Sequence, residues 1–196
     1  ELTAGLRTDG LGTLIGGIFT TFPYTSFSQN VGLVGVTGVR SRFVTGINGL
    51  RMHLLEAGHE SPGRPVVLLL HGFPELAYSW RKLMGPLARA GLHVLAPDQR
   101  GYGRTTGWDP NYDGGLGAFR LPNLVRDALG LVSAFGYRTV DAVIGHDFGS
   151  SVAAWCALIR PDVFRSVVMM SAPFGGPPSL PFDTADEPVK PAANDP

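Results

Sequence analysis

The sequence predicts an α/β fold, in which a mostly parallel sheet carries helices on both faces. Short apolar runs alternate along the chain with amphipathic stretches of helical length, an order typical of strand–helix–strand units. The run Val66–Leu70 is continuously apolar, as expected for a parallel strand that is buried on both faces. Polar motifs directly follow three predicted strands, at His71, Asp98 and Asp147, where ligands of such sheets bind.

Each predicted element has its own local signal. Residues 41–46 and 50–58 are short segments of strand composition, and the turn residues Gly46, Asn48 and Gly49 predict a β-hairpin. The later elements are assigned from apolar periodicity and from the glycines that end two of the helices. After the hairpin, the predicted order is strand 64–72, helix 78–91, strand 93–98, helix 121–136, strand 139–147, helix 150–161 and strand 164–173.

Composition restricts the class of protein. The 196 residues include 16 basic and 16 acidic side chains, a balance that gives no reason to expect a nucleic-acid partner. Cys156 is the only cysteine, so an internal disulfide is excluded and a reducing, cytoplasmic location is expected. The first ten residues lack the basic and apolar regions of a secretory signal. We predict neither a metal ion nor a cofactor.

Three zones divide the chain. Residues 1–42 are apolar, rich in glycine and poor in charge, whereas residues 43–174 contain the alternating strands and helices. Residues 175–196 contain many prolines and few residues to bury, which predicts a disordered tail or linker. The middle zone is therefore the predicted globular core, and the opening zone needs a separate explanation.

A nucleophile elbow is predicted at Gly145-His146-Asp147-Phe148-Gly149. The motif lies between an apolar strand and a helix start rich in small residues, the context in which such a turn exposes its middle side chain. The middle residue is Asp147, whose carboxylate is ionised at neutral pH and needs no base to attack a strained carbon electrophile. The resulting ester then needs a base-activated water for hydrolysis. The alternative interpretation of Asp147 is the N-cap of the following helix.

The motif His71-Gly72-Phe73-Pro74, directly after the apolar strand, supplies a second candidate. A turn here can direct the backbone N–H of Phe73 at the elbow, where it forms an oxyanion hole together with the N–H of Phe148. This role needs only backbone groups. The His71 side chain is interpreted as a brace for the loop, and Pro74 as a residue that makes the loop rigid.

Three motifs carry a family resemblance: HGFPE at 71–75, DQRGYGRT at 98–105 and GHDFGS at 145–150. In this order and spacing they resemble the α/β-hydrolase superfamily, and more closely its epoxide-hydrolase and haloalkane-dehalogenase-like branch, over about residues 43–185. The resemblance implies an epoxide-type small-molecule substrate and Asp147 as the nucleophile. The loop 98–105 is interpreted as a brace around the site.

The same resemblance implies Phe73 and Phe148 as the oxyanion donors and bears on the choice of substrate. Dehalogenases of this branch often have Asn and Trp at these two positions to hold the halide. The two phenylalanines therefore favour an epoxide hydrolase, and a haloalkane dehalogenase remains the alternative. A non-catalytic binding module with the same fold is a further alternative.

The resemblance also implies parts that these motifs do not include. Family members continue with a cap domain that carries two tyrosines, two further core strands, a relay acid and a base histidine. All five histidines of this chain precede the last predicted strand: His53, His59, His71, His93 and His146. We therefore expect an incomplete α/β-hydrolase fold that lacks the cap and the last strands, with little or no turnover. The last strand would be an uncovered parallel edge, which favours aggregation.

The opening zone resembles a different family. Residues 11–39 contain no charged side chain and are long enough to cross a bilayer, but glycine, proline and polar residues interrupt them. The string QNVGLVGVTG at 29–38 resembles the signature of the xanthine/uracil permeases, which are nucleobase–cation symporters. That resemblance implies that Gln29 and Asn30 face a purine and that Asp9 matches the acid of the preceding segment.

Three explanations of this zone remain open. The chain is a fusion of a permease piece and a hydrolase piece, joined near Arg40 to Val44, or residues 11–39 anchor the hydrolase to a membrane, or they pack on its sheet. One permease segment cannot form a transport path alone, and the longer hydrolase-like region favours a hydrolase over a transporter fragment. A membrane-associated location is thus the alternative to a cytoplasmic one, and the oligomeric state is not predicted.

Overall fold

The computed structural model describes residues 38–111, 113–172 and 174–176, which form a six-stranded sheet with helices on both faces. The strands are β1 (Arg40–Ile47), β2 (Leu50–Ala57), β3 (Val66–Leu70), β4 (His93–Pro97), β5 (Ala142–His146) and β6 (Val167–Met170). Their spatial order is β1-β2-β4-β3-β5-β6. The four strands β4, β3, β5 and β6 pair in parallel, whereas β2 pairs antiparallel with β1 and β4. The predicted mostly parallel sheet is confirmed.

Helices connect these strands in the order that the sequence predicts. Within the described residues they are a 3₁₀ helix (Ala77–Trp80), α1 (Arg81–Arg89), a second 3₁₀ helix (Leu116–Phe119), α2 (Leu121–Ala134) and α3 (Phe148–Ile159). Helix α2 buries Leu124, Ala128 and Leu131 on one face, as their spacing predicts. The predicted helix stops Gly91 and Gly136 have φ values of 90° and 78°, in the left-handed region that glycine favours.

Two helix starts differ from the prediction. The helix predicted over 78–91 opens with the 3₁₀ turn at Ala77–Trp80, and α1 begins only at Arg81. Helix α3 begins at Phe148, immediately after Asp147, rather than at residue 150. Apolar spacing identifies the buried face of a helix but says little about the hydrogen bonding of its first turn.

The β1–β2 hairpin is confirmed, with a turn shorter than predicted. The strands pair up to Ile47 and Leu50, which leaves Asn48-Gly49 as a two-residue turn. Both turn residues have positive φ, 49° and 84°, as a type I′ turn requires. The prediction of Gly46 as a turn residue is wrong, since it lies in β1 at an irregularity of the strand register.

The core lies on both faces of the sheet. Every residue of β3, the strand between β4 and β5, is at most 4% exposed. On one face the sheet packs against α2 and α3, and on the other against α1 and the first 3₁₀ helix. Burial on both faces explains why β3 is apolar without alternation.

The predicted zone boundary between residues 42 and 43 falls inside β1. Arg40 Nε and Arg42 Nη1 lie 2.8 and 3.1 Å from the buried carboxylate of Glu56 on β2, so β1 packs as one element on both sides of that boundary. The candidate permease residues Asp9, Gln29 and Asn30 lie outside the described residues, as does the chain after residue 176. Across the residues described, no helix is long and apolar enough to cross a membrane.

Strand β6 is the edge strand at the far side of the sheet from β1. It pairs with β5, and no other described strand lies against it. Its residues Val167, Val168 and Met169 are 36%, 45% and 43% exposed, which is unusual for apolar side chains in a parallel strand. The expected uncovered parallel edge is therefore present in the described part of the chain.

Candidate active site

Asp147 lies on a sharp turn between β5 and α3, at the carboxyl edge of the sheet. Its backbone has φ 52° and ψ −123°, a conformation that a non-glycine residue keeps only when its surroundings impose it. The Asp147 N–H donates to the Met170 carbonyl, and the Asp147 carbonyl accepts from the Ser150 N–H, both at 2.9 Å. Asp147 does occupy the N-cap position of α3, as the alternative interpretation predicts, but its side chain makes no capping hydrogen bond there.

The two flanking glycines give this turn the room that it needs. A Cβ atom on Gly145 would lie 2.2 Å from the carbonyl oxygen of Gly149, and a Cβ on Gly149 would lie 2.2 Å from that of Leu70. Both distances are far below van der Waals contact, so no larger residue fits at either position without a backbone shift. The left-handed conformation belongs to Asp147 itself, and the glycines allow α3 to pack directly against β3 and β5.

The loop after β3 presses against this elbow. A Cβ on Gly72 would lie 2.6 Å from the Asp147 Cβ and 2.8 Å from Asp147 Oδ1, so only glycine fits there. Phe73 follows, and its backbone N–H donates a hydrogen bond to Asp147 Oδ1 at 2.9 Å. The peptide bond from Phe73 to Pro74 is cis. The structure thus brings the candidate oxyanion donor of Phe73 onto the candidate nucleophile.

Backbone donors determine the charge state of Asp147. The Phe73 N–H holds the pKa of the Asp147 carboxyl below its ordinary value, and the Phe148 N–H and the charge of His146 add to that effect. Partial burial of the carboxylate acts in the opposite direction but is outweighed. Asp147 is therefore a carboxylate at neutral pH, as nucleophilic attack requires.

His71 braces the same loop from below, as the sequence predicts. Its buried ring accepts a hydrogen bond from the Gln99 N–H through Nε2 at 3.0 Å, so Nδ1 carries the proton and donates to the Gly72 carbonyl at 2.9 Å. Burial lowers the pKa of His71, which favours this neutral ring. Both ring nitrogens are therefore occupied by structural bonds.

The predicted bracing role of residues 98–105 is confirmed by hydrogen bonds. The buried Asp98 carboxylate accepts from the backbone N–H groups of Ala77 and Arg104 at 2.9 and 3.0 Å, and lies 2.7 Å from His53 Nδ1. The Thr105 hydroxyl donates to the Asp98 carbonyl at 2.6 Å. These bonds fix the loop after β4 next to the loop after β3.

Sequence reasoning identified His146 only as part of the motif and missed its partner, Glu75. The His146 Nδ1 lies 3.0 Å from Glu75 Oε2, and both side chains are about one third exposed. The two residues line a cleft of about 220 Å³ together with Ser79, Trp80 and Met170. Glu75 is the last residue of the HGFPE motif, but nothing in the motif indicates a contact with a residue 71 positions further along the chain.

Metal-ligating residue types do not converge in this part of the molecule. Within residues 38–111, 113–172 and 174–176, no group of three or more His, Cys, Asp or Glu side chains is arranged to hold a metal ion. The chemistry available at the site is thus that of a carboxylate, backbone donors and a neighbouring imidazole–carboxylate pair.

Comparison with known proteins agrees with this arrangement. The α/β-hydrolase fold family matches residues 65–196. The chain belongs to this family. Among curated relatives, this α/β-hydrolase is 43% identical over 126 residues to epoxide hydrolase A of Mycobacterium tuberculosis. The match covers 64% of this chain and 37% of the relative. It is 38% identical over 136 residues to an AB hydrolase superfamily protein of Bacillus subtilis, covering 69% and 44%.

Solved structures give the same result. The α/β-hydrolase matches epoxide hydrolase A of Mycobacterium thermoresistibile with a TM-score of 0.62 and 42% identity, over 69% of this chain and 40% of the other. It matches potato epoxide hydrolase I with a TM-score of 0.63 and 39% identity, over 70% and 41%. The chain therefore spans about two fifths of the length of these relatives.

A second family matches the start of the α/β-hydrolase chain. A permease family matches residues 1–54. The last fifteen residues of that match contain β1 and the beginning of β2, where Ile47, Leu50 and Met52 are at most 2% exposed in the hydrolase core. Residues 40–54 thus belong structurally to the hydrolase sheet.

Proposed function

We propose that this chain is an epoxide-hydrolase-like hydrolase in which Asp147 opens an epoxide through a covalent ester. The single observation that carries the proposal is the Asp147 carboxylate on the elbow, with Oδ1 held 2.9 Å from the Phe73 N–H. The epoxide hydrolases among its relatives, about 40% identical, support the same assignment. The substrate class is a small molecule with an epoxide ring.

The first step follows from the orientation of the carboxylate. Because Oδ1 is bonded to the Phe73 N–H, Oδ2 is the oxygen that attacks an epoxide carbon. A C–O bond forms to Oδ2, the ring C–O bond breaks, and the released alkoxide takes a proton from water. Relief of ring strain drives this displacement, which needs no base because Asp147 is already ionised.

The second step would use the same donors. Water attacks the ester carbonyl carbon, and the negative charge of the tetrahedral species develops on Oδ1, opposite the N–H groups of Phe73 and Phe148. Collapse of this species expels the diol and restores the Asp147 carboxylate. This step needs a general base to activate the water.

The histidines of the chain offer little as that base. His53 and His71 are held by structural hydrogen bonds, and His93 bonds to Glu56 and Tyr137. His59 lies in the connection before β3, at the end of the sheet opposite to Asp147.

His146 is adjacent to Asp147, but its Nδ1 is occupied by Glu75. We therefore propose that the ester forms and breaks down slowly in this chain.

A haloalkane dehalogenase is the second candidate, and the side chains next to the carboxylate disfavour it. Phe73 is 70% exposed and Phe148 is 38% exposed beside Asp147, and neither side chain has an N–H group to hold a halide ion. A non-catalytic binding module would form no covalent adduct with any electrophile.

Intact-mass spectrometry with an aryl epoxide tests the proposal. We expect a mass increase of one epoxide per chain, mapped to Asp147 by peptide analysis, and none in Asp147→Asn, which keeps the size of the side chain. An adduct that forms equally in D147N, or rapid formation of a diol without an adduct, would overturn the proposed sequence of steps. Incubation with a haloalkane under the same conditions tests the second candidate.

We propose further that the permease-like segment and the hydrolase have separate origins, with the junction before Arg40. The permease match to residues 1–54 supports a separate origin for the start of the chain. The match extends past Arg40, but β1 pairs with β2 from Arg40 onward and Arg40 bonds to Glu56, which supports a junction before Arg40. The alternatives, a membrane anchor and an extension packed on the sheet, make different predictions. Genomic sequence across codons 36–44 tests the junction, and recovery of the protein in the soluble fraction would contradict the anchor.

A further inference from the structure

Glu75 stabilises the loop after β3 in two ways: its backbone closes the turn of the loop, and its side chain bonds to the elbow. Its carboxylate Oε2 lies 3.0 Å from His146 Nδ1, on the residue directly before Asp147, and also accepts a longer hydrogen bond of 3.4 Å from the Gly72 N–H. Its own N–H donates to the Gly72 carbonyl at 3.0 Å, which closes the turn 72–75. One residue thus holds the turn closed and attaches it to the end of β5.

The group between these two attachments is the Phe73 N–H. On one side, Gly72 is pressed against Asp147 so closely that no Cβ fits. On the other, Glu75 bonds to His146. The Phe73 N–H reaches Asp147 Oδ1 at 2.9 Å from this fixed loop. Since a hydrogen bond weakens steeply when its geometry departs from this range, a small movement of the loop would release Oδ1.

We propose that Glu75 is a positioning residue, which acts through His146 to keep the Phe73 N–H on Asp147 Oδ1. This inference rests on the proposed function of Asp147 and assigns a role to a pair of side chains that the proposed steps do not use. Because His146 Nδ1 carries the proton in this bond, the pair orients the loop in the same way in which a carboxylate orients a catalytic imidazole.

The inference predicts which step depends on Glu75. Formation of the ester removes charge from the carboxylate, so the Phe73 N–H does not favour that step electrostatically. Breakdown of the ester by hydroxide is different. Hydroxide forms a bond to the ester carbonyl carbon, and the π electrons of the carbonyl move to Oδ1. Collapse of this tetrahedral species expels an alkoxide, which takes a proton from water. Charge then develops on the atom that faces the Phe73 N–H, so loosening the loop slows breakdown.

The test follows decay of the aryl-epoxide adduct in alkaline buffer. Glu75→Ala removes the acceptor for His146, and we expect breakdown to slow by about tenfold to a hundredfold. This is less than the roughly hundredfold to thousandfold cost of removing an oxyanion donor outright, because the Phe73 N–H is loosened and not removed. Glu75→Gln keeps an acceptor oxygen and should restore most of the lost rate. Glu60→Ala, at an exposed carboxylate in the connection before β3, is the matched control and should decay as the wild type does.

A pH profile separates positioning from a simple effect of charge. The described titratable groups that interact with Asp147 or lie on its loop are His146, Tyr102 and Glu75. Loss of the Phe73 hydrogen bond in E75A should move the midpoint of adduct formation to higher pH, because that bond holds the pKa of Asp147 down. Removal of a nearby negative charge alone would move the midpoint to lower pH.

A second variant removes the other end of the contact. His146→Ala should also slow breakdown, and the double variant E75A/H146A should be no slower than E75A alone. E75A already removes the bond to His146, together with the longer bond of 3.4 Å from the Gly72 N–H to Glu75 Oε2. Circular dichroism verifies that each variant is folded. If the wild type forms no adduct, the proposed function fails and the inference with it. If the adduct forms but its decay and midpoint are unchanged in E75A and H146A, the proposed function stands and the inference is overturned.

Discussion

The backbone N–H of Phe73 donates to Oδ1 of Asp147 at 2.9 Å across 74 positions of the sequence. The sheet makes this contact possible, because β3 and β5 are parallel neighbours with Leu70 opposite Gly145. The loops that follow the two strands consequently leave the sheet side by side at its carboxyl edge. The position of the candidate site is thus a consequence of strand register.

Gly72→Ala should impair the candidate nucleophile directly. The new Cβ would lie 2.6 Å from the Asp147 Cβ, so the loop or the elbow must move. A displacement of this kind misaligns the carboxylate and its donor, and we expect adduct formation to fall by about a hundredfold. Stopped incubations with an aryl epoxide, analysed by mass spectrometry, measure the rate.

The control for this substitution is Gly117→Ala, at a glycine with open space around its Cβ position and no positive φ. We expect it to alkylate as the wild type does. Equal rates for G72A and G117A would contradict the contact between Gly72 and Asp147 that the structure contains.

Adduct formation should persist in acid. Since the Phe73 and Phe148 N–H groups hold the pKa of Asp147 below its ordinary value, the carboxylate remains ionised at pH values where a free aspartate begins to protonate. The rate should therefore stay constant from neutral pH downward and reach half its maximum only below the ordinary aspartate pKa. A midpoint above that value, with the protein still folded by circular dichroism, would contradict the assignment of these donors.

The parts of this site that the sequence predicts are those that depend on local constraints. A strand buried on both faces must be apolar, and an elbow packed against β3 must have glycines, so β3 and Gly145 to Gly149 were identifiable. The 3₁₀ start of the first helix and the place of Gly46 depend on hydrogen bonds that residue types do not specify. The bond from His146 to Glu75 depends on strand order, which no short motif contains.

The β1 boundary was harder to predict for a different reason. Arg40 and Arg42 follow an uncharged run, so the change of composition predicts the boundary of a zone here. Their charges are instead part of the fold, because both pair with Glu56 on the neighbouring strand. Composition shows where charged residues occur along the chain, but it does not show which carboxylate an arginine pairs with in the fold.

Glu56→Ala should destabilise the fold. Glu56 is 1% exposed, and burial opposes its ionisation, but hydrogen bonds from His93, Arg40 and Arg42 outweigh burial and hold its pKa well below the ordinary range. Removing the carboxylate leaves the buried His93 without its partner, and we expect a loss of about 3 kcal/mol, the low end for a broken buried pair because the arginines are partly exposed. Urea unfolding followed by tryptophan fluorescence measures the loss.

The pH dependence of stability gives an independent check. A carboxyl whose pKa is depressed in the folded state stabilises the protein above its unfolded pKa, and this contribution declines as pH falls toward the folded value. The difference in unfolding free energy between the wild type and Glu56→Gln should thus be largest near neutral pH and shrink in acid. Glu60→Gln, at a side chain that is 51% exposed, should show little difference at any pH.

Val168→Lys should reduce self-association of the protein. Val168 is 45% exposed on β6, an edge strand with no described neighbour beyond it. Unpaired backbone groups along an apolar edge favour pairing with another chain, and a lysine on the edge opposes that pairing through charge repulsion and the cost of desolvating its ammonium group. Light scattering at increasing protein concentration should show aggregation at a higher concentration for V168K than for the wild type.

The matched control is Leu83→Lys, which introduces the same charge at a 38% exposed apolar position on α1, away from the edge. If association depends on the β6 edge, L83K should aggregate as the wild type does, because its added charge lies far from the surface that pairs. If both variants suppress aggregation equally, the effect comes from net charge and exposed apolar area in general. Equal suppression would therefore contradict the assignment of β6 as the surface that drives association.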